Sequence, residues 1–155
     1  MRLRPYTTIL PKPLLPIGDR PILEIILRQL AAAGFTKVDL CVGHLGELIR
    51  VYFTDGTVIP ERLELDWHWE PEEPLGTAGA LKVVPGLDGT FLAMNGDILT
   101  TLDYRALVEH HPAAGEDVCA YRSDATWFDL GTVTEYERAV AELDRHSGSL
   151  PSAGP

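Results

Sequence analysis

Helices alternating with short apolar strands predict an α/β domain with a mainly parallel sheet, layered α/β/α because parallel strands are covered on both faces. Three stretches carry that reading. Ile22, Ile25, Ile26 and Leu30 recur at helical spacing. Leu63, Leu65, Trp67 and Trp69 alternate with Glu64, Asp66, His68 and Glu70, the period of a strand with one buried face. Phe91 to Met94 is a short apolar run between Gly89-Thr90 and Asn95-Gly96, which reads as a buried strand ended by a turn.

Taken in order, Arg2 to Pro16 reads as a loop, because four prolines in so short a span oppose a helix. Its cations are Arg2, Arg4 and Lys12, and Lys12 is framed by Pro11 and Pro13, which limits where its ammonium can reach. Asp19-Arg-Pro21 reads as a helix start, with Asp19 as cap and Glu24, Arg28 and Gln29 facing away from the core. Gly34 is the expected stop. Lys37 to Val42 reads as a strand, Gly43-His-Leu-Gly46 as a turn, and Glu47 to Phe53 as a short helix. His44 and His68 read as turn and polar-face residues.

Leu75-Gly-Thr-Ala-Gly-Ala-Leu81 reads as a loop running into a helix. Gly76 there lets backbone approach a ligand, and Thr77 can cap the helix or sit beside a ligand. Asp97 follows the Asn95-Gly96 turn. It is either a turn residue bonding its own backbone or a metal ligand at a strand end. Asp103 to His111 reads as a helix, Pro112 to Glu116 as a break, and Val118 to Tyr121 as a short strand. Trp127-Phe-Asp-Leu-Gly-Thr132 then leads to a last helix from Thr134 to about Leu143. Residues 1–147 form one domain, and 148–155 read as a flexible tail.

The formal charge of −10 over 155 residues argues against a general nucleic-acid binder, which needs a basic stripe, but not against a local phosphate site. No apolar run is long enough for a membrane span, and Met-Arg-Leu-Arg-Pro does not read as a secretory leader. Cys41 and Cys119 lack metal-type spacing and read as cytoplasmic thiols.

Three segments stand together: the proline-framed Lys12 downstream of Arg2-Leu-Arg-Pro5, Leu75-Gly-Thr-Ala-Gly79, and two aspartates, Asp97 in Asn-Gly-Asp and Asp129 in Trp-Phe-Asp-Leu-Gly-Thr. In this order they resemble the sugar-phosphate nucleotidyltransferases, chiefly the mannose-1-phosphate guanylyltransferase and glucose-1-phosphate thymidylyltransferase branch. The likeness runs from Arg2 to Val140. It implies a Rossmann-like nucleotidyltransferase fold and transfer of a nucleoside monophosphate from a nucleoside triphosphate to a sugar 1-phosphate. It also implies roles: Lys12 on the phosphates, Arg2 on the departing pyrophosphate, Gly76 and Thr77 against the nucleoside, and Asp97 and Asp129 holding Mg²⁺, for which oxygen ligands are suited. Sugar-binding residues are unassigned, and homo-oligomerisation stays open.

Two departures accompany the likeness. The family opens with a strand and glycine-rich loop directly before the Arg-Leu-x-Pro that stands here at Arg2 to Pro5. It also carries several dozen residues, with a sugar-contacting Glu-Lys-Pro motif, where this chain runs from about Ala113 to Val118. A non-catalytic nucleotide- or sugar-nucleotide-binding relative, or an inert remnant, therefore stands beside the transferase reading.

Overall fold

A computed structural model describes residues 9–54, 59–71, 73, 76, 78–111 and 120–146. Its organising element is a helix with two buried flanks. This helix, α1 (Ile22–Ala32), places Ile22, Ile25, Ile26 and Leu30 in one apolar cluster and Leu23 and Leu27 in another. Six apolar side chains within three turns cannot share one stripe, so they serve both sides. The helix ends where glycine was expected to end it. Gly34 has φ +96°, its N–H is donated to Ala31 and that of Phe35 to Leu30, the paired bonds of a Schellman stop.

The start of α1 differs from expectation. Asp19 does not cap it, and its side chain is solvent-exposed. Pro16–Ile17 (β1) and Arg20–Pro21 (β2) pair antiparallel around Gly18-Asp19, so Asp19 is spent on the turn. Gly18 takes φ +63° there, a conformation open to glycine at little cost. Glu24 also differs, because it is buried rather than facing away. Arg28 Nε donates to its Oε1 at 2.8 Å, Arg20 lies 3.7 Å from the same oxygen, and the Tyr52 hydroxyl donates to its Oε2 at 3.3 Å. A carboxylate can be buried on these terms because cations and a hydroxyl replace its water.

Lys37–Val42 (β3) and Glu64–Trp69 (β4) pair in parallel, with Lys37 opposite Glu64 and Val42 opposite Trp69. Gly46–Thr54 (α2) lies between them in sequence. Val38, Leu40, Leu65 and Trp67 pack with Ile49 and Phe53 of α2 against Leu23 and Leu27. The crossover turn is tight: a Cβ on Gly46 would stand 2.8 Å from Val42 Cβ and 2.9 Å from Trp69 Cζ3.

Ile98–Thr100 (β5) and Trp127–Asp129 (β6) form a third, antiparallel ladder. Tyr104–His110 (α3) is capped by Asp103, whose Oδ1 accepts from the Ala106 N–H at 3.0 Å. Val133–His146 (α4) follows β6. Leu99, Tyr104, Phe128, Leu130 and Ala139 from these elements pack against the other flank of α1.

Helices and strands therefore alternate as the α/β class requires. Among the described residues the strands form three separate two-stranded ladders, only one of them parallel. Phe91 to Met94 lies outside any strand. Its residues still alternate, Leu92 and Met94 packing on the core while Phe91 and Ala93 are exposed. Among the described residues the run has strand periodicity without a ladder partner, and a strand is defined by its ladder. Ala120 and Tyr121, expected at a strand end, are also outside any strand, while 118 and 119 lie outside the described residues. The 75–81 segment gives a 3₁₀ helix at Gly79–Val83.

Candidate functional site

The site is assembled on one end of α1. Lys12–Leu14 forms a single 3₁₀ turn closed by Leu14 N–H to Pro11 O and Leu15 N–H to Lys12 O, both 2.9 Å. Leu15 then accepts from the Ile22 N–H at 3.0 Å, which ties the turn to the start of α1. On the other side, a Cβ on Gly96 would lie 3.6 Å from Pro13 and 3.8 Å from Leu23. The Asn95-Gly96-Asp97 turn thus rests on the proline that frames the lysine and on the helix beneath. Lys12 Nζ donates to Asp97 Oδ2 at 3.2 Å.

Asp97 directly precedes β5 rather than closing a strand at Phe91–Met94. The ladder explains what this does. Ile98 is opposite Asp129, and the Leu130 N–H donates to the Asp97 carbonyl at 3.3 Å. Because the strands are antiparallel, the start of one and the end of the other share an edge. The backbones of the two aspartates, 32 positions apart in the chain, therefore stand at the same end of one ladder. The Asp97 side chain is mostly buried, and Asp129 is exposed. Asp129 Oδ1 turns back toward Gly131, where a Cβ would stand 3.3 Å from it.

The ladder is held firmly below this edge. Thr100 is buried; its hydroxyl donates to the Thr126 carbonyl at 2.7 Å, and Gln29 Nε2 donates to the Thr100 carbonyl at 3.1 Å. From α4, Arg138 donates to the Trp127 carbonyl at 3.1 Å and stacks 4.9 Å from the Phe128 ring centroid. The Tyr136 hydroxyl donates to the Pro16 carbonyl and so fastens α4 to β1.

Of the other expected site residues, Gly76 takes φ +79°, with open space where a Cβ would be, and its carbonyl accepts from the Gly79 N–H at 2.9 Å. Arg2 and Thr77 lie outside the described residues.

Sequence reasoning did not anticipate a second polar cluster. Asp39, Asp66 and His68 bring ligand-type atoms within 4.8 Å of one another on the outer face of β3–β4. They already serve one another. His68 Nε2 is 2.7 Å from Asp39 Oδ1, and Lys37 Nζ is 2.8 Å from Asp66 Oδ2 and 3.6 Å from Asp39 Oδ1. The hydrogen bond from Lys37 holds the Asp66 carboxyl below its usual pKa, and the same bond raises that of Lys37. Beside them, burial first and then the charges of Glu70 and Asp39 push the Cys41 thiol pKa up. Alternation in each strand shows which residues share a face, but only the parallel register sets Asp39 beside Asp66.

Lys12 and Asp97 are thus in contact at one end of the β5–β6 ladder, and the backbone of Asp129 stands at that same end. The family description "Nucleotidyl transferase" matches residues 1–121. The chain is 32% identical over 149 residues to a mannose-1-phosphate guanylyltransferase of Mycobacterium tuberculosis, covering 93% of this chain and 41% of that protein. It is 32% identical over 151 residues to a D-glycero-alpha-D-manno-heptose 1-phosphate guanylyltransferase of Aneurinibacillus thermoaerophilus, covering 94% and 59%. Among solved structures, HddC from Yersinia pseudotuberculosis superposes with a TM-score of 0.57 at 27% identity, over 65% of this chain and 44% of that one. A UDP-glucose pyrophosphorylase from Acinetobacter baumanii superposes at 0.60 over 96% and 91%; at 16% identity that likeness concerns the fold. The chain belongs to the nucleotidyl transferase family. It spans between about two fifths and three fifths of the length of these two curated relatives. Among the described residues no helix is long and apolar enough to cross a membrane.

Proposed function

We propose that this site serves transfer of a nucleoside monophosphate from a nucleoside triphosphate to a sugar 1-phosphate. In that reaction a phosphate oxygen of the sugar 1-phosphate bonds to the α-phosphorus. The bond from that phosphorus to the oxygen bridging to the β-phosphate breaks, and pyrophosphate leaves with the electron pair. Such in-line transfer depends on positioning and on neutralising charge. The observation that supports it most is the Lys12–Asp97 contact at the edge shared with Asp129.

Lys12 offers the phosphates a cation on a turn braced by two prolines and α1. Asp97 and Asp129 offer carboxylate oxygens, a donor set that fits a hard ion such as Mg²⁺. Bound there, Mg²⁺ would supply Lewis-acid polarisation of phosphoryl oxygens. Gly76 leaves room for a nucleoside close to backbone, with Thr77 and Arg2 as the further contacts to nucleoside and pyrophosphate. The substrates are small phosphorylated molecules, and the setting is cytoplasmic.

The test is pyrophosphate release from GTP, UTP or dTTP with mannose 1-phosphate or glucose 1-phosphate and Mg²⁺. Release should require both substrates and fall by roughly a hundredfold or more in Asp97→Ala. Release undiminished in that variant contradicts the reading. A second reading, nucleotide binding without transfer, is favoured by the short connection from His110 to Trp127, where the resembled family carries its sugar-binding segment. Calorimetric binding with no pyrophosphate release would select it.

A further inference from the structure

In the proposed function Lys12 and Asp97 serve different ligands, yet in the structure they are partners of each other. Each therefore stands where the other's ligand must come. A cation on Asp97 Oδ2 displaces the ammonium, and a phosphate on Lys12 draws the ammonium away from the carboxylate. We propose that the Lys12–Asp97 pair is an exchangeable latch, in which the lysine acts as a built-in occupant of the metal-ligating carboxylate until phosphate arrives. This rests on the functional reading of Asp97 as a metal ligand.

Three features suit an exchange. The Lys12 side chain is 42% exposed, so it can leave without opening the core. The 3.2 Å contact is long for a charge-assisted bond, so it holds without locking. The backbones beneath both residues are fixed, by the 3₁₀ turn on one side and the β5–β6 ladder on the other. Only side chains need move. The consequence is reciprocal coupling: phosphate on Lys12 frees an oxygen for the metal, and metal on Asp97 frees the ammonium for phosphate.

The latch makes predictions of opposite sign to simple loss of a ligand. Binding of Mn²⁺ alone, measured by electron paramagnetic resonance, should tighten about two- to fivefold in Lys12→Met, the range expected for a partly exposed ion pair. Lys12→Gln should behave alike. Lys82→Met, which removes the same charge elsewhere, should leave Mn²⁺ binding unchanged. Pyrophosphate binding in EDTA should likewise tighten about two- to fivefold in Asp97→Asn, because the ammonium is released. The relevant Mn²⁺ site is the one abolished by Asp97→Asn. If Asp97→Asn leaves Mn²⁺ binding intact, or the native chain binds none, the metal-ligand reading fails and the latch fails with it. If Asp97→Asn removes Mn²⁺ but Lys12→Met does not tighten it, or Lys82→Met tightens it equally, the latch alone is overturned.

Discussion

Lys12 and Asp97 lie 85 residues apart in sequence, and their side chains meet at 3.2 Å. The contact joins the proline-rich arm to the β5–β6 ladder across the start of α1. Its contribution to folding is small, since half-exposed ion pairs give about 0–1 kcal/mol. Asp97→Ala should therefore change the unfolding free energy in urea by less than about 1 kcal/mol while removing metal-dependent nucleotide binding. A cooperative melt close to native, together with lost binding, separates site chemistry from folding.

Glu24 carries more structural weight than its place in the sequence suggests. It is buried and joins Arg20, Arg28 and Tyr52, linking α1 to α2. Glu24→Ala removes that acceptor from beneath two cations and should cost about 1–3 kcal/mol in urea unfolding. Glu47→Ala, which breaks the exposed pair with Arg50, should cost less than about 0.5 kcal/mol. Equal effects at the two positions would show that burial of Glu24 does not matter.

Gly46 is set by space. Its missing side chain lets the start of α2 rest on Val42 and Trp69, both under 3.0 Å from an added Cβ. Gly46→Ala should lower stability by about 1–3 kcal/mol through overpacking. Gly18 and Gly86 have nothing within 4 Å of an added Cβ, and both adopt positive φ. Alanine there should cost about 1 kcal/mol through backbone strain alone. Thermal melts of the three variants should place Gly46→Ala lowest.

The Lys37–Asp66 pair gives a pH window. The Asp66 pKa is lowered by the hydrogen bond from Lys37, so its contribution is present above the unfolded carboxyl value of 3.8 and lost as pH falls through the lower folded value. The Lys37 pKa is raised by the same bond, so its contribution is complete below 10.5 and lost as pH rises through the higher folded value. The Tm difference between native chain and Lys37→Met should be constant from about pH 5 to about pH 9 and narrow on either side. A difference that varies steadily across neutral pH would contradict this account of the pair.

Much of this was readable beforehand where the signal is local. The spacing of Ile22, Ile25, Ile26 and Leu30, the stop at Gly34 and the alternation of Leu63 to Trp69 each rest on neighbours in sequence. Asp19 was misread because a cap and a turn use the same residue types, and pairing of Pro16–Ile17 with Arg20–Pro21 decides between them. Phe91 to Met94 shows strand periodicity, but a ladder also needs a partner that periodicity does not supply. In the site, the resemblance gives Lys12 and Asp97 roles in one reaction, but their direct contact across 85 residues is supplied by the fold. The buried cluster at Glu24 did not, because its hydroxyl comes from Tyr52 on another helix.

In the proposed function, Asp97 and Asp129 act on one ligand at the shared end of β5 and β6. Calorimetric titration of a nucleoside triphosphate with Mg²⁺ into native chain, Asp97→Asn and Asp129→Asn tests it most directly. Each substitution should weaken binding by at least about tenfold, or 1.4 kcal/mol, with the double variant well short of additive because the residues act together. Native-like affinity in Asp129→Asn beside lost binding in Asp97→Asn would contradict it.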